Sequence, residues 1–268
     1  MMTQAQIPSP QTIELEIREL WLLLSQFGPA FVLGVQNPYQ GWLTEEIEAA
    51  HRKAAISLLE RGLAQFLTDE TLDVDDDLMV MAKAITHPED TIILQCSKED
   101  SGRQHYFHCA NDTVVERVEV AADKHLVSIL PSRNSLAARV LSEVDLPAAP
   151  GCRGEAFQML EGALFQAAEA AAKGELLRME EALQESGIGD SLASALKAAL
   201  TATVFNGSIV VIANQNDAET QHVRGFGILA GAEDIWLMVP VDGQSQPYIE
   251  LRPTTAQTVR QKITEILP

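Results

Sequence analysis

Three cysteines in 268 residues are too few, and odd in number, for a disulfide framework, so Cys96, Cys109 and Cys152 point to a reducing compartment. Basic residues are scarce as well: 19 Lys and Arg stand against 38 Asp and Glu, a net charge of -19. Such a field repels phosphate backbones and anionic lipid surfaces, which excludes nucleic acid and acidic membranes as default partners. Apolar runs are short. Stretches such as Leu20 to Leu24 fall far below the roughly 20 residues a membrane-spanning helix requires. No basic stretch precedes an apolar core near Met1, so no signal peptide is expected and the chain reads as cytoplasmic. Catalytic signatures are missing too, with no Gly-x-Ser-x-Gly elbow, Walker loop or His-Glu-x-x-His helix.

What is present is a chain rich enough in apolar residues, at 46%, to bury one large core or two ordinary ones. Ile13, Leu15 and Ile17 alternate with polar residues as a half-buried strand does. The period then changes to the helical stripe Leu20, Trp21, Leu23, Leu24 and Phe27, which Gly28 and Pro29 end. Phe31 to Val35 reads as a second apolar strand, and Thr44 opens a helix that Gly62 stops. Leu78 to Thr86 reads as a helix. It is followed by strands at Thr91 to Cys96 and Arg103 to Cys109, a turn from Ser97 to Gly102 between them, and two further strands ending at Leu130. A helix from Asn134 to Val144 and a linker from Pro147 to Gly154 close the first half, residues 1–146.

The second half, 155–268, opens with a long helical stretch from Glu155 to Glu185 that Gly174 divides. A helix at Ser191 to Thr203 precedes strands near 208–213, 223–229, 235–239 and 248–251, and a last helix spans Thr255 to Leu267. Both halves share the order helices, hairpin, further strands, terminal helix. A sheet shared by the halves, with helices on its flanks, buries the apolar faces most simply.

The candidate chemical sites are weak. Asp73, Asp75, Asp76 and Asp77 resemble the opening of a calcium loop, but the required Gly and Glu are replaced by Leu78 and Ala84, so helix capping is the better reading. Cys96, His105, His108 and Cys109 fall on neighbouring strands, and alternation places His105 and Cys109 on one face. Three ligands there could hold zinc, yet no paired Cys-x-x-Cys spacing supports it, and half-buried sheet residues are expected instead. The string from Gly225 to Ala230 matches a dinucleotide fingerprint in letters only, because it leads into another strand rather than a helix. A winged helix ending near Leu58 to Ala64 fails for want of basic residues: Asp75 to Ile85 carries only Lys83.

Several stretches together resemble the EspG family of type VII (ESX) secretion-associated proteins. They are Glu14 to Trp21 followed by Gly28 to Leu33 and the Gly41 turn, Leu59 to Ala64 with its acidic sequel, His87 to Asp90, and Gly225 to Leu229 with Trp236 and the final helix. The resemblance implies an α+β fold of two pseudo-symmetric halves, with a central antiparallel β-sheet flanked by helical bundles. It implies a cytosolic, non-enzymatic chaperone, without cofactor or metal, that shields an apolar patch on a helical secretion substrate, in mycobacteria the PE-PPE heterodimers. The family's contacts come from a hairpin loop and a C-terminal helical region. By position these correspond to Lys98, Glu99, Asp100 and Arg103, and to Leu176, Leu177, Met179 and Leu183. The residues alone leave three alternatives open: a metal- or thiol-dependent enzyme on Cys96, His105 and Cys109, an acidic scaffold, and a homodimer.

Overall fold

A computed structural model describes residues 12–28, 32–68, 71–98, 101–148, 155–215, 217, 219–243 and 245–268. The fold is α+β, with antiparallel strands and eight helices among the described residues. The chain divides into two compact units, one of Met1–Ile92, Gln104–Leu136 and Ile212–His222, the other of Ile93–Arg103, Ala137–Val211 and Val223–Pro268.

The first unit begins with β1 (Thr12–Glu16), whose Ile13 and Leu15 are buried while their neighbours face water. Its helix α1 (Ile17–Ser25) starts at once, because Glu19 reaches back to the Glu16 N–H at 2.9 Å and closes a capping box. Glu19 is itself buried. It also accepts from Ser57 Oγ at 2.7 Å and Arg61 Nη1 at 2.6 Å, the latter two supplied by α2 (Thr44–Glu60) and the residue after it. A separate two-stranded ribbon, β2 (Ala64–Thr68) and β3 (Thr71–Val74), then leads to α3 (Asp76–Thr86). Asp75 caps α3 by accepting from the N–H groups of Asp77 and Leu78, so the acidic cluster serves the helix as expected.

The strands β4 (Asp90–Lys98), β5 (Ser101–Ala110), β6 (Thr113–Ala121) and β7 (Lys124–Ile129) follow, in the spatial order β1-β7-β6-β5-β4. Ile13 lies opposite Val127, and Tyr106 opposite Arg117, which fixes the buried faces. Apolar residues of α1, α2 and α3 pack with Ile13, Leu15, Val115 and Val127 into one core.

Residues 32–35 form turns rather than the expected second strand, Phe31 lying outside the described residues. The cause is polar. The fully buried Arg117 guanidinium donates to the carbonyls of Leu33 at 2.6 Å and Gly34 at 3.2 Å, satisfying acceptors that a ladder would otherwise use. Gly34 has φ +66, and any Cβ there would overlap the Tyr106 hydroxyl, so only glycine fits.

In the second unit the strand order is β9-β10-β11-β12-β8, with the later part of β4 beside β9. These are β8 (Phe157–Leu160), β9 (Thr203–Ala213), β10 (His222–Gly231), β11 (Ile235–Val241) and β12 (Tyr248–Thr254). The helix α4 (Ser135–Glu143) starts at the junction of the two units' segments. The expected helix from Glu155 is thus corrected at its start. Residues Phe157 to Leu160 pair antiparallel with Tyr248 to Leu251, and this pairing overrides their helix-compatible spacing. Three helices, α5 (Glu161–Ala172), α6 (Leu176–Glu185) and α7 (Asp190–Thr201), bury Leu164, Met179, Leu183 and Leu196 against Leu229, Trp236 and Leu251. Gly174, at φ +73, divides α5 from α6 as the sequence indicates. The terminal helix α8 (Ala256–Ile266) is capped by Thr255 Oγ1, which accepts from the Thr258 N–H at 3.2 Å. Traced from the outer strand, β1-β7-β6-β5-β4 and β8-β12-β11-β10-β9 have the same connectivity.

Candidate functional site

Within the second unit an open groove of about 540 Å³ runs over β9 and β10 beside α5. Its floor is made by glycines. A Cβ at Gly225 would come within 2.5 Å of the Ile209 carbonyl oxygen, and one at Gly207 within 2.5 Å of the Gln95 carbonyl oxygen. Neighbouring backbone therefore fills the space a side chain would take at these two positions, so only glycine fits there. At Gly227, which pairs with Met238, the Met238 side chain fills that space instead.

The walls are apolar. Leu164, Phe165, Val223, Met238, Pro240 and Ile249 line it, with Glu161 and Arg224 supplying one charge of each sign. Phe165 is 65% exposed and Val223 66% exposed, so large hydrophobic surface is held in water at the groove. Ser97 and Gly102, at the turn end of the β4–β5 hairpin, also line it. This arrangement has the shape and polarity to accept an apolar side-chain row from a partner.

The residues singled out by resemblance are distributed as follows. Lys98 ends β4 and Arg103 is exposed in β5, while Glu99 and Asp100 lie outside the described residues. Leu176 and Leu177 are 44% and 77% exposed, whereas Met179 and Leu183 are buried in the helical core. Those four side chains do not share one face. Phe165 and Gly207 were not singled out from sequence, whereas Gly225 and Gly227 were read there only within the rejected fingerprint string and the EspG-like stretch. The available signal was that Phe165 falls off the buried stripe of its helix.

The Cys and His group shows packing rather than reactivity. His105 Nδ1 lies 2.7 Å from Glu116 Oε1, both residues buried. Burial pushes the Cys109 thiol up to about 12, which leaves almost no thiolate at neutral pH. Cys96 is buried as well. His108 stacks on Tyr106, and burial followed by the Arg117 charge holds its imidazole well below the usual range. No group of three His, Cys, Asp or Glu that could hold a metal ion occurs among the described residues. No helix among them is long and apolar enough to cross a membrane.

Comparison with known proteins follows the same lines. A solved structure described as the Mycobacterium tuberculosis type VII secretion system chaperone EspG5 in complex with the PE25-PPE41 dimer superposes with a TM-score of 0.63. Sequence identity is 14%, and the match covers 96% of this chain and 97% of that one. No curated protein matches the sequence. The model of the EspG family matches residues 16–265, nearly the whole sequence, and on that ground the chain belongs to the EspG family.

Proposed function

We propose that this protein is a cytoplasmic type VII secretion chaperone that binds a helical substrate in the glycine-floored groove and covers the substrate's apolar patch. The observation that carries the reading is that the large apolar side chains of Phe165 and Val223 stand exposed in the lining of this groove. Family membership and the complex described for EspG5 support it. No catalytic group is needed, because burial of apolar area is favourable by about 25 cal/mol per Å². With Cys109 and His105 committed to packing, a non-enzymatic role fits the chain better than thiol or metal chemistry. Leu176, Leu177, Lys98 and Arg103 are proposed to extend the contact. The matching strand order of β1 with β4 to β7 and of β8 with β9 to β12 supports two pseudo-symmetric halves divided near residues 147–154.

Co-purification from the native organism tests the role. A helical substrate bound in stoichiometric amount is expected, and self-association alone would refute it. Phe165→Asp tests the site. Truncating a well-packed interfacial aromatic costs about 1–3 kcal/mol, so substrate affinity should fall roughly tenfold or more with an unchanged melting temperature. Full affinity in that variant would remove the groove from the contact. Replacing Lys98 to Arg103 with a short Gly-Ser turn should weaken the same complex, and unchanged affinity would exclude the hairpin end.

A further inference from the structure

A second apolar groove, of about 920 Å³, lies within the first unit, between α1, α2 and the β2–β3 ribbon. Its lining includes Leu22 and Leu23 of α1, Ala55 and Ile56 of α2, and Phe66 and Leu72 of the ribbon. Ile56 is 51% exposed and Phe66 56% exposed, so the apolar rim is left open to water. The ribbon pairs with no other strand among the described residues. Its Ala64, Leu72 and Val74 pack against the core of α1, α2 and α3, while Phe66 is left outside that contact.

Charge around the groove has one prevailing sign. Asp73 and Asp76 line it, and Asp75 and Asp77 are exposed at the same turn. Glu48 follows the face of α2 that carries Arg52, Ala55 and Ile56, at the helical spacing of four. Among the described residues Arg52 is the one fixed cation in the lining, and burial lowers the His51 imidazole below its ordinary range. The chain's net charge of -19 extends the negative field beyond the groove.

We infer that this groove docks an amphipathic helix of a partner protein whose apolar stripe is flanked by Lys and Arg. Apolar anchors at i, i+3, i+4 and i+7 would fill the space between Ile56 and Phe66, while basic flanks would face Asp73, Asp76 and Glu48. The surface is made of residues distinct from the groove over β9 and β10, and it stands whether or not that groove binds a secretion substrate.

The test uses the full chain and synthetic Leu/Lys peptides of about 14 residues, long enough for helix. A peptide with Leu at helical spacing should bind with micromolar affinity, measured by fluorescence polarisation, and weaken as salt rises. Phe66→Ser, and separately Asp73→Asn with Asp76→Asn, should each weaken it about tenfold at unchanged melting temperature. Phe165→Asp should leave it unchanged, which separates this surface from the other groove. Equal binding by a peptide of the same composition with alternating Leu and Lys, or by a Leu/Glu helix, would overturn the proposal. So would NMR shifts centred outside α1, α2 and the ribbon, or a homodimer that Phe66→Ser dissolves, since the occupant would then be a second copy. If the double Asn variant does not fold, loss of affinity with salt together with the Phe66→Ser result decides the matter.

Discussion

Replacing Arg117 with Met sets two sizeable effects against each other. The side chain is fully buried, and burial lowers its guanidinium to about 10, a penalty of roughly 3 kcal/mol that an apolar residue would relieve. Against this, the Leu33 and Gly34 carbonyls lose their donors at 2.6 and 3.2 Å, at about 1–3 kcal/mol each. The cation also lies 4.0 Å from the Tyr106 ring centroid, a contact of about 1–2 kcal/mol when desolvated. The losses exceed the relief, and a net destabilisation of about 2 kcal/mol is expected, lowering the melting temperature by about 5 °C. Urea denaturation followed by circular dichroism measures it. A midpoint equal to or above the parent's would refute the reasoning, because it would mean that the buried cation costs more than its partners, which include His125 Nδ1 at 3.3 Å, return. A second readout is independent of stability. Burial and then the Arg117 charge press the His125 imidazole down to about 4, so its NMR titration should move upward in the Met variant.

Further expectations concern pH, buried charge and thiol access. His125 titrates near 4 when folded against about 6.5 when unfolded, so the unfolded chain binds the extra proton between those values. Stability should therefore fall as pH drops from 6.5 towards 4, and His125→Gln, which keeps an acceptor for Arg117 Nη1, should make that limb shallower in urea titrations at several pH values, the remainder belonging to the buried His108. Glu19→Ala removes the acceptor shared by Ser57, Arg61 and the Glu16 N–H, and should cost about 1–3 kcal/mol, since Arg61 keeps access to water, read from the same denaturation curves. An unchanged midpoint would show that the carboxylate is dispensable. Cys109, raised to about 12, should resist a thiol reagent at pH 8 until the protein unfolds, and rapid labelling of Cys109 in the native state would contradict its burial.

Local periodicity was enough to read most of the regular structure. Alternation in Thr12 to Glu16, the helical stripes of α1 and α3, and the polar turns between β4 and β7 are short-range features, each encoded within a few residues of itself. The Asp75 cap was legible for the same reason, since its acceptor and donors lie within three residues. Other elements depend on distant partners. Residues 157–160 carry a spacing that suits a helix, and only pairing with β12 makes them a strand. Residues 32–35 have the apolar content of a strand, yet Arg117, more than eighty residues later, takes their carbonyls. The ribbon β2–β3 was obscured by the acidic run that follows it.

The groove illustrates the same division. Acidic charge, few cysteines and the EspG-like stretches were enough to argue against nucleic acid, disulfides and recognisable catalysis, because composition and local pattern act without reference to the fold. That Met179 and Leu183 are core while Leu177 is exposed, and that Phe165 lines one groove with Gly207, Gly225 and Gly227, follows from how helices and strands far apart in the chain come together. A glycine in a strand announces a missing side chain. Whether the space it leaves is filled by a neighbour or open to a partner is decided by tertiary packing alone.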